Sequence, residues 1–70
     1  METKLYRVND TPPANMDWAE VLSEYAVLRS MTRDGLRKWS HTYMARLEQR
    51  ENTLIRFIAE RTAEREKHNV

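Results

Sequence analysis

Apolar residues recur at helical spacing in two stretches of the chain, one short and one long. In the first stretch, the residues that share one face of a predicted helix are Trp18, Val21, Leu22, Tyr25 and Leu28. Ala26 and Val27 widen this face, which indicates contacts on more than one side. The pattern predicts a helix over about residues 17–30. We expect it to begin with a capping box, in which Asp17 caps the helix and Glu20 reaches back to it.

A much longer amphipathic stretch follows, which contains no proline and a single glycine, Gly35. Placed at helical intervals, its apolar residues fall on a stripe about 100° wide: Leu36, Trp39, Tyr43, Leu47, Leu54, Phe57 and Ile58. The pattern predicts a second helix over about residues 33–67, with Thr32 as its cap and Asp34 complementing the helix dipole. This helix would be about 50 Å long, against about 18 Å for the first.

The mismatch in length between the two predicted helices indicates a partner. A short first helix folded back on the long one covers the stripe from Leu36 to about Leu47. It does not reach Leu54, Phe57 or Ile58 at the far end. A contiguous exposed apolar patch on a small domain usually marks a binding surface, and two-fold dimers are the commonest small oligomers. We therefore predict a homodimer formed through the long helix in the manner of a coiled coil.

Two arginines, Arg50 and Arg61, project onto the same stripe as the apolar residues. Because a buried unpaired charge is costly, each must extend its head group to solvent or meet a carboxylate of a neighbouring helix. The candidate carboxylates are Glu20, Glu24, Glu51 and Glu64. The predicted dimer or partner interface comprises Leu47, Arg50, Leu54, Phe57, Ile58 and Arg61.

The first sixteen residues do not share the helical pattern. Leu5, Tyr6 and Val8 lie among basic residues, and two consecutive prolines then favour a stiff extended spacer. We therefore predict one domain, in which an extended amino-terminal arm and spacer over residues 1–16 precede an all-α helical hairpin over residues 17–70.

Composition limits both the stability and the partners of the chain. A chain of 70 residues buries only about 60% of its unfolded surface, and without cysteine it has no disulfide or thiolate zinc site. The net charge of +1 lacks the strong positive field of a general nucleic-acid binder, although residues 32–70 carry +3 and residues 1–31 carry −2. No apolar run is long enough to span a bilayer and no signal-peptide core is present, so we expect a soluble cytoplasmic protein that does not bind membranes.

The sequence contains no arrangement of side chains that favours catalysis. His41 and His68 are far apart, and neither a metal-ligand spacing nor a glycine-rich phosphate loop occurs. Ser40 and His41 are neighbours on a predicted helix, so their side chains point about 100° apart and cannot form a nucleophile and base pair. We therefore expect no enzymatic activity, metal ion, cofactor or small-molecule substrate.

The segment RSMTRDGLRKW, residues 29–39, has a second interpretation. Five residues at its centre and flanks match the spacing of the helix-turn-helix signature over about residues 22–42: Ala26, Ser30, Met31, Leu36 and Trp39. This resemblance implies that exposed residues at the start of the second helix enter the major groove of DNA. Those residues are Arg33, Asp34, Arg37, Lys38 and His41.

The main interpretation is that residues 30–32 form a short turn between antiparallel helices. Gly35 would cost the second helix up to about 1 kcal/mol, and no third helix is predicted to close a DNA-binding core. The predicted function is therefore that of a non-enzymatic regulatory or adaptor protein that homodimerises and binds a protein partner. The main alternative is a DNA-binding transcriptional regulator, and a third possibility is a subunit whose apolar stripe is covered by a different protein. Small helical chains without cysteine are similar in type to phage or bacterial accessory factors.

Overall fold

The computed structural model of this protein describes residues 6–68, which form two α-helices joined by a tight connection. Helix α1 spans Trp18–Asp34, and helix α2 spans His41–His68. Short 3-10 turns lie at Pro13–Asn15 and Gly35–Arg37. The predicted all-α helical hairpin is confirmed, with no strand among the described residues. Of the predicted arm, residues 1–5 lie outside the described part, and residues 6–12 form neither helix nor strand.

Helix α1 begins after Asp17, as predicted. Asp17 keeps an extended backbone, and its carbonyl accepts the first helical hydrogen bond from the amide of Val21 at 3.0 Å. The predicted capping box is wrong, because the side chain of Asp17 makes no capping hydrogen bond. Glu20 still lies in the first turn, where a carboxylate complements the positive end of the helix dipole.

Helix α1 continues past its predicted end, because residues 30–32 are helical. The predicted turn at these residues is therefore wrong. Thr32 caps no second helix; its hydroxyl donates to the carbonyl oxygen of Arg29 at 3.3 Å, one turn back along α1. The chain leaves the helix at Gly35, whose φ of 60° and ψ of −150° lie in a region that other residues rarely adopt.

Helix α2 begins at His41, eight residues later than predicted. Ser40 caps it, since its side-chain oxygen accepts a hydrogen bond from the amide of Tyr43 at 3.2 Å. The predicted start near Arg33 is wrong. Leu36, which the pattern assigns to the core stripe, instead lies in the connection and is 56% exposed.

Because the connection lies further along the chain than predicted, α1 covers more of α2. Helix α1 has 17 residues and α2 has 28, which correspond to about 25 Å and 42 Å. The buried apolar residues are Val21, Leu28, Met44, Leu47 and Leu54. Leu54 is fully buried within one chain, and Phe57 and Ile58 pack half-buried against the same core. The prediction that the first helix leaves these residues uncovered is therefore wrong for Leu54, while Phe57 and Ile58 are covered in part.

One side-chain contact marks each end of the region where α1 and α2 pack together. At the connection, the indole nitrogen of Trp39 donates to the carbonyl oxygen of Met31 at 3.0 Å, which satisfies one of the last carbonyls of α1. At the opposite end, the guanidinium of Arg61 lies 5.0 Å from the ring centre of Trp18. Residues 62–67 continue α2 beyond this point, and all of them are exposed.

Candidate interaction surfaces

A buried ion pair joins the two helices at their centre. The Nε and Nη2 atoms of Arg50 donate to the two carboxylate oxygens of Glu24 at 2.6 Å and 3.0 Å, and both side chains are 7% exposed. The hydrogen bonds from Arg50 to Glu24 raise the pKa of Arg50 above its ordinary value, so the guanidinium stays charged. Of the two alternatives left open for Arg50, the structure shows contact with a carboxylate, and this carboxylate belongs to the same chain.

The amino-terminal segment, residues 6–16, packs against the side of the hairpin that carries this ion pair. The Asn9 side-chain amide donates to Glu24 at 3.2 Å, so the carboxylate is bonded from two directions. The hydroxyl of Tyr43 donates to the backbone carbonyl of Tyr6. Burial of the phenol raises the pKa of Tyr6 above its ordinary value. We call this side of the hairpin the covered face.

Most of the predicted dimer interface lies inside a single chain. Its members in the core, each less than a tenth exposed, are Leu47, Arg50 and Leu54. Phe57 and Ile58 are half-buried against that core, and the exposed Arg61 lies over Trp18 of α1. This stripe therefore offers little free apolar surface to a second chain.

The four residues predicted as DNA contacts lie together at the closed end of the hairpin. They occupy the last turn of α1, the connection and the start of α2, and all are exposed: Arg33, Arg37, Lys38 and His41. Together with Leu36 they form a surface that we call the basic tip. Residues 29–46 contain five Lys or Arg and one Asp, a net charge of +4, while the rest of the chain carries −3. The charge is therefore polarised along the molecule.

The charges of the basic tip also have local structural roles. Arg33 lies in the last turn of α1, where a cation complements the negative end of the helix dipole. Lys38 lies 3.9 Å from Asp34, in a pair exposed enough to be screened by solvent, and 5.2 Å from the ring centre of Trp39. These roles do not involve Leu36, the most exposed of the large apolar side chains in the described part of the chain.

The backbone of the basic tip differs from the helix-turn-helix geometry that the spacing implies. Ser30 and Met31 lie inside α1, and Arg33 lies in the last turn of that helix instead of beginning the next one. Arg37 and Lys38 belong to the connection, and His41 is the first residue of α2. The predicted residues are thus neighbours on the surface, but they do not form the exposed face of one recognition helix.

A second apolar surface lies opposite the covered face. At about 100° per residue, Leu22 points about 160° away from Glu24 on α1, and Ile55 points about 140° away from Arg50 on α2. Leu22 is 41% exposed and Ile55 is 40% exposed. We call the following group the uncovered face: Leu22, Tyr25, Ala26, Ile55, Ile58 and Ala59. The sequence pattern alone did not single it out, because Leu22 was assigned to the core and Ile55 fell outside the predicted stripe.

The remaining surface contains features with less specific chemistry. An open cleft of about 360 Å³ lies between the amino-terminal segment and α2, with Asp10, Arg46 and Thr53 in its wall. Within residues 6–68, no three His, Asp or Glu side chains are grouped closely enough to hold a metal ion. Neither helix in that range is long and apolar enough to cross a membrane.

No family model matches the chain, and no curated protein or solved structure matches it significantly. Its function therefore has to be inferred from the basic tip and the uncovered face.

Proposed function

We propose that this protein is a small non-enzymatic regulatory or adaptor protein that works as a homodimer and binds another macromolecule through the basic tip. The observation that supports the binding site is the position of Leu36, a large apolar side chain that is 56% exposed among cations. Protein interfaces typically place apolar side chains at the centre of a polar rim and are enriched in arginine. The basic tip has this composition, with the exposed Leu36 next to Arg37 in the chain and three residues after Arg33.

The partner that fits the basic tip is an acidic protein segment that carries an apolar side chain. The net charge of +4 over residues 29–46 attracts carboxylates and speeds their encounter with this end of the molecule. An apolar side chain of a protein partner would bury Leu36, which a phosphate backbone would not do. The charge of −3 on the rest of the chain keeps such a partner away from the other surfaces.

The basic tip is also fixed in shape, which lowers the entropy lost on binding. Gly35 turns the chain sharply out of α1, and Ser40 caps the start of α2. Between them, the indole of Trp39 is bonded to the backbone of α1 at 3.0 Å and lies against the ring of Tyr43. Leu36 is therefore presented by a connection that is bonded on both sides.

Selection from a random peptide library tests this proposal. We expect the enriched peptides to combine Asp or Glu with an apolar residue, and to lose binding to the Leu36→Ser and Arg37→Glu variants. Arg56→Glu is the matched control, because it makes the same charge change at an exposed position of α2 away from the basic tip. If the enriched peptides bind the tip variants as well as the original chain, the basic tip is not the binding site.

DNA binding is the second candidate, favoured by the grouping of Arg33, Arg37, Lys38 and His41 on one surface. It predicts that titration with a mixed-sequence duplex at low salt shifts the amide resonances of these residues. The affinity should fall steeply as salt is added, and Arg37→Ala combined with Lys38→Ala should abolish it. An unchanged amide spectrum at low salt would remove DNA from consideration and leave the protein partner.

A further inference from the structure

We infer that the uncovered face binds a second copy of this chain, so that two hairpins stack into a two-fold dimer of four helices. This extends the homodimer part of the proposed function by naming the interface, which differs from the stripe predicted from the sequence. The two helices of one hairpin form a single layer. The amino-terminal segment packs on one side of that layer, through Asn9 and Tyr6, and leaves the side with Leu22 and Ile55 open to solvent.

The exposed area of the chain indicates how much surface a partner has to cover. The chain exposes 5948 Å². A compact monomer of 8.4 kDa would expose about 4,600 Å². The excess of about 1,300 Å² is larger than the roughly 800 Å² that each partner buries in a stable interface of standard size. Part of this excess belongs to the exposed end of α2 at residues 62–67, and the uncovered face, where Leu22 and Ile55 are 41% and 40% exposed, contributes to the rest.

The uncovered face has the chemistry that packing of helices on helices requires. Leu22 and Ile55 are its large exposed apolar side chains, and Tyr25 and Ile58 present half-buried apolar surface beside them. The exposed Ala26 and Ala59 have small side chains, which allow two helices to approach to about 8–10 Å.

The charges beside this face make a second copy a better fit than an unrelated partner. By helical position, Arg29 of α1 lies at the same side of the hairpin as Glu48 and Glu51 of α2. A two-fold interface brings one patch against itself, so a patch with both signs of charge can pair its arginine with a partner's carboxylates. The covered face is already occupied by the chain's own residues 6–16. Pairing of two uncovered faces therefore gives a closed dimer and not a polymer.

The test is the solution mass of the full chain by sedimentation equilibrium across a range of concentrations. We expect twice the mass of 8.4 kDa. We expect Leu22→Asp to raise the dimer dissociation constant by at least about tenfold, because it places a charge in an apolar contact. Ala26→Arg is a second variant, which keeps a good helix former and blocks close approach of the helices. Circular dichroism should show that both variants remain helical.

Val27→Asp is the matched control, because Val27 is 42% exposed against 41% for Leu22 and lies about 140° from it around α1. It should leave the mass unchanged. A monomeric original chain would overturn the inference, as would a Val27→Asp variant that dissociates as readily as Leu22→Asp. Peptide binding at the basic tip is measured on the same variants. Its survival in a monomeric Leu22→Asp protein would separate failure of the dimer from failure of the proposed binding site.

Discussion

At the scale of single residues, the pair of Glu24 and Arg50 decides how the parts of the molecule align. The bidentate geometry fixes the register of α1 on α2, and the additional hydrogen bond from Asn9 fixes the amino-terminal segment on both helices. A buried ion pair contributes little net stability, since desolvation offsets most of the attraction. Its role here is to select one arrangement among the many that a small core of five apolar side chains would tolerate.

Replacing one member of this pair should lower the free energy of unfolding far more than replacing both members. We expect Glu24→Met to lower the free energy of unfolding by about 3–5 kcal/mol, because it leaves the Arg50 charge buried without a partner. The double variant with Arg50→Met should recover most of that loss, since two apolar side chains of similar volume replace the pair. Urea unfolding of the two single variants and the double variant measures the coupling. Losses that simply add would show that the two side chains act independently.

At the scale of elements, the sequence predicted that two helices exist but misplaced the connection between them. The helical spacing from Trp18 to Leu28 and the start at Asp17 are intrinsic to the sequence, so they were readable. The end of α1 could not be predicted from the sequence, because the apolar periodicity weakens after Leu28 while the helix continues. The stop signal was Gly35 itself, a glycine directly after a basic last turn, and the start signal was Ser40.

The same displacement explains which surfaces the sequence predicted wrongly. Moving the connection towards the carboxyl end lets α1 reach Leu54, so the stripe predicted as a dimer interface became the core of one chain. Pairing of Arg50 with a carboxylate was one of the two alternatives that the sequence left open, because burial of an unpaired charge is costly wherever it occurs. The exposure of Leu36 follows from the displaced connection. The uncovered face was not predictable, since it depends on how the amino-terminal segment packs onto one side only.

The Gly35→Ala substitution distinguishes the predicted connection at residues 30–32 from the observed one at Gly35. It should change the stability of the chain in opposite directions in the two cases. In the middle of a helix, alanine would stabilise the chain by up to about 1 kcal/mol over glycine. At φ 60° and ψ −150°, it should instead destabilise it by about 1–3 kcal/mol. The cost comes from the backbone alone, because an added Cβ would have no neighbour within 4 Å. Thermal unfolding measures the effect, and Ser30→Ala, inside α1, should be neutral or slightly stabilising. A more stable Gly35→Ala protein would return the connection to residues 30–32.

At the scale of the whole molecule, length and charge are arranged along one axis. The molecule measures 52 × 19 × 15 Å, with the basic tip at one end and the exposed end of α2 at the other. The core lies between them, on the span from the contact of Trp39 with Met31 to the contact of Arg61 with Trp18. Binding at the basic tip and pairing at the uncovered face therefore use separate surfaces, and each can be altered without the other.

Removing the far end of α2 tests which surface holds the dimer. A chain that ends at Ala63 loses residues that are exposed as far as Lys67, so the free energy of unfolding should change by less than about 0.5 kcal/mol. Its dimer should persist, because Leu22 and Ile55 remain. A chain that ends at Thr53 is the contrasting case, since it loses the fully buried Leu54 and should not fold. Urea unfolding measures the stability of both truncated chains, and sedimentation measures their oligomeric mass. If the chain ending at Ala63 folds but becomes monomeric, the two copies meet along the end of α2, as in the coiled coil predicted from the sequence.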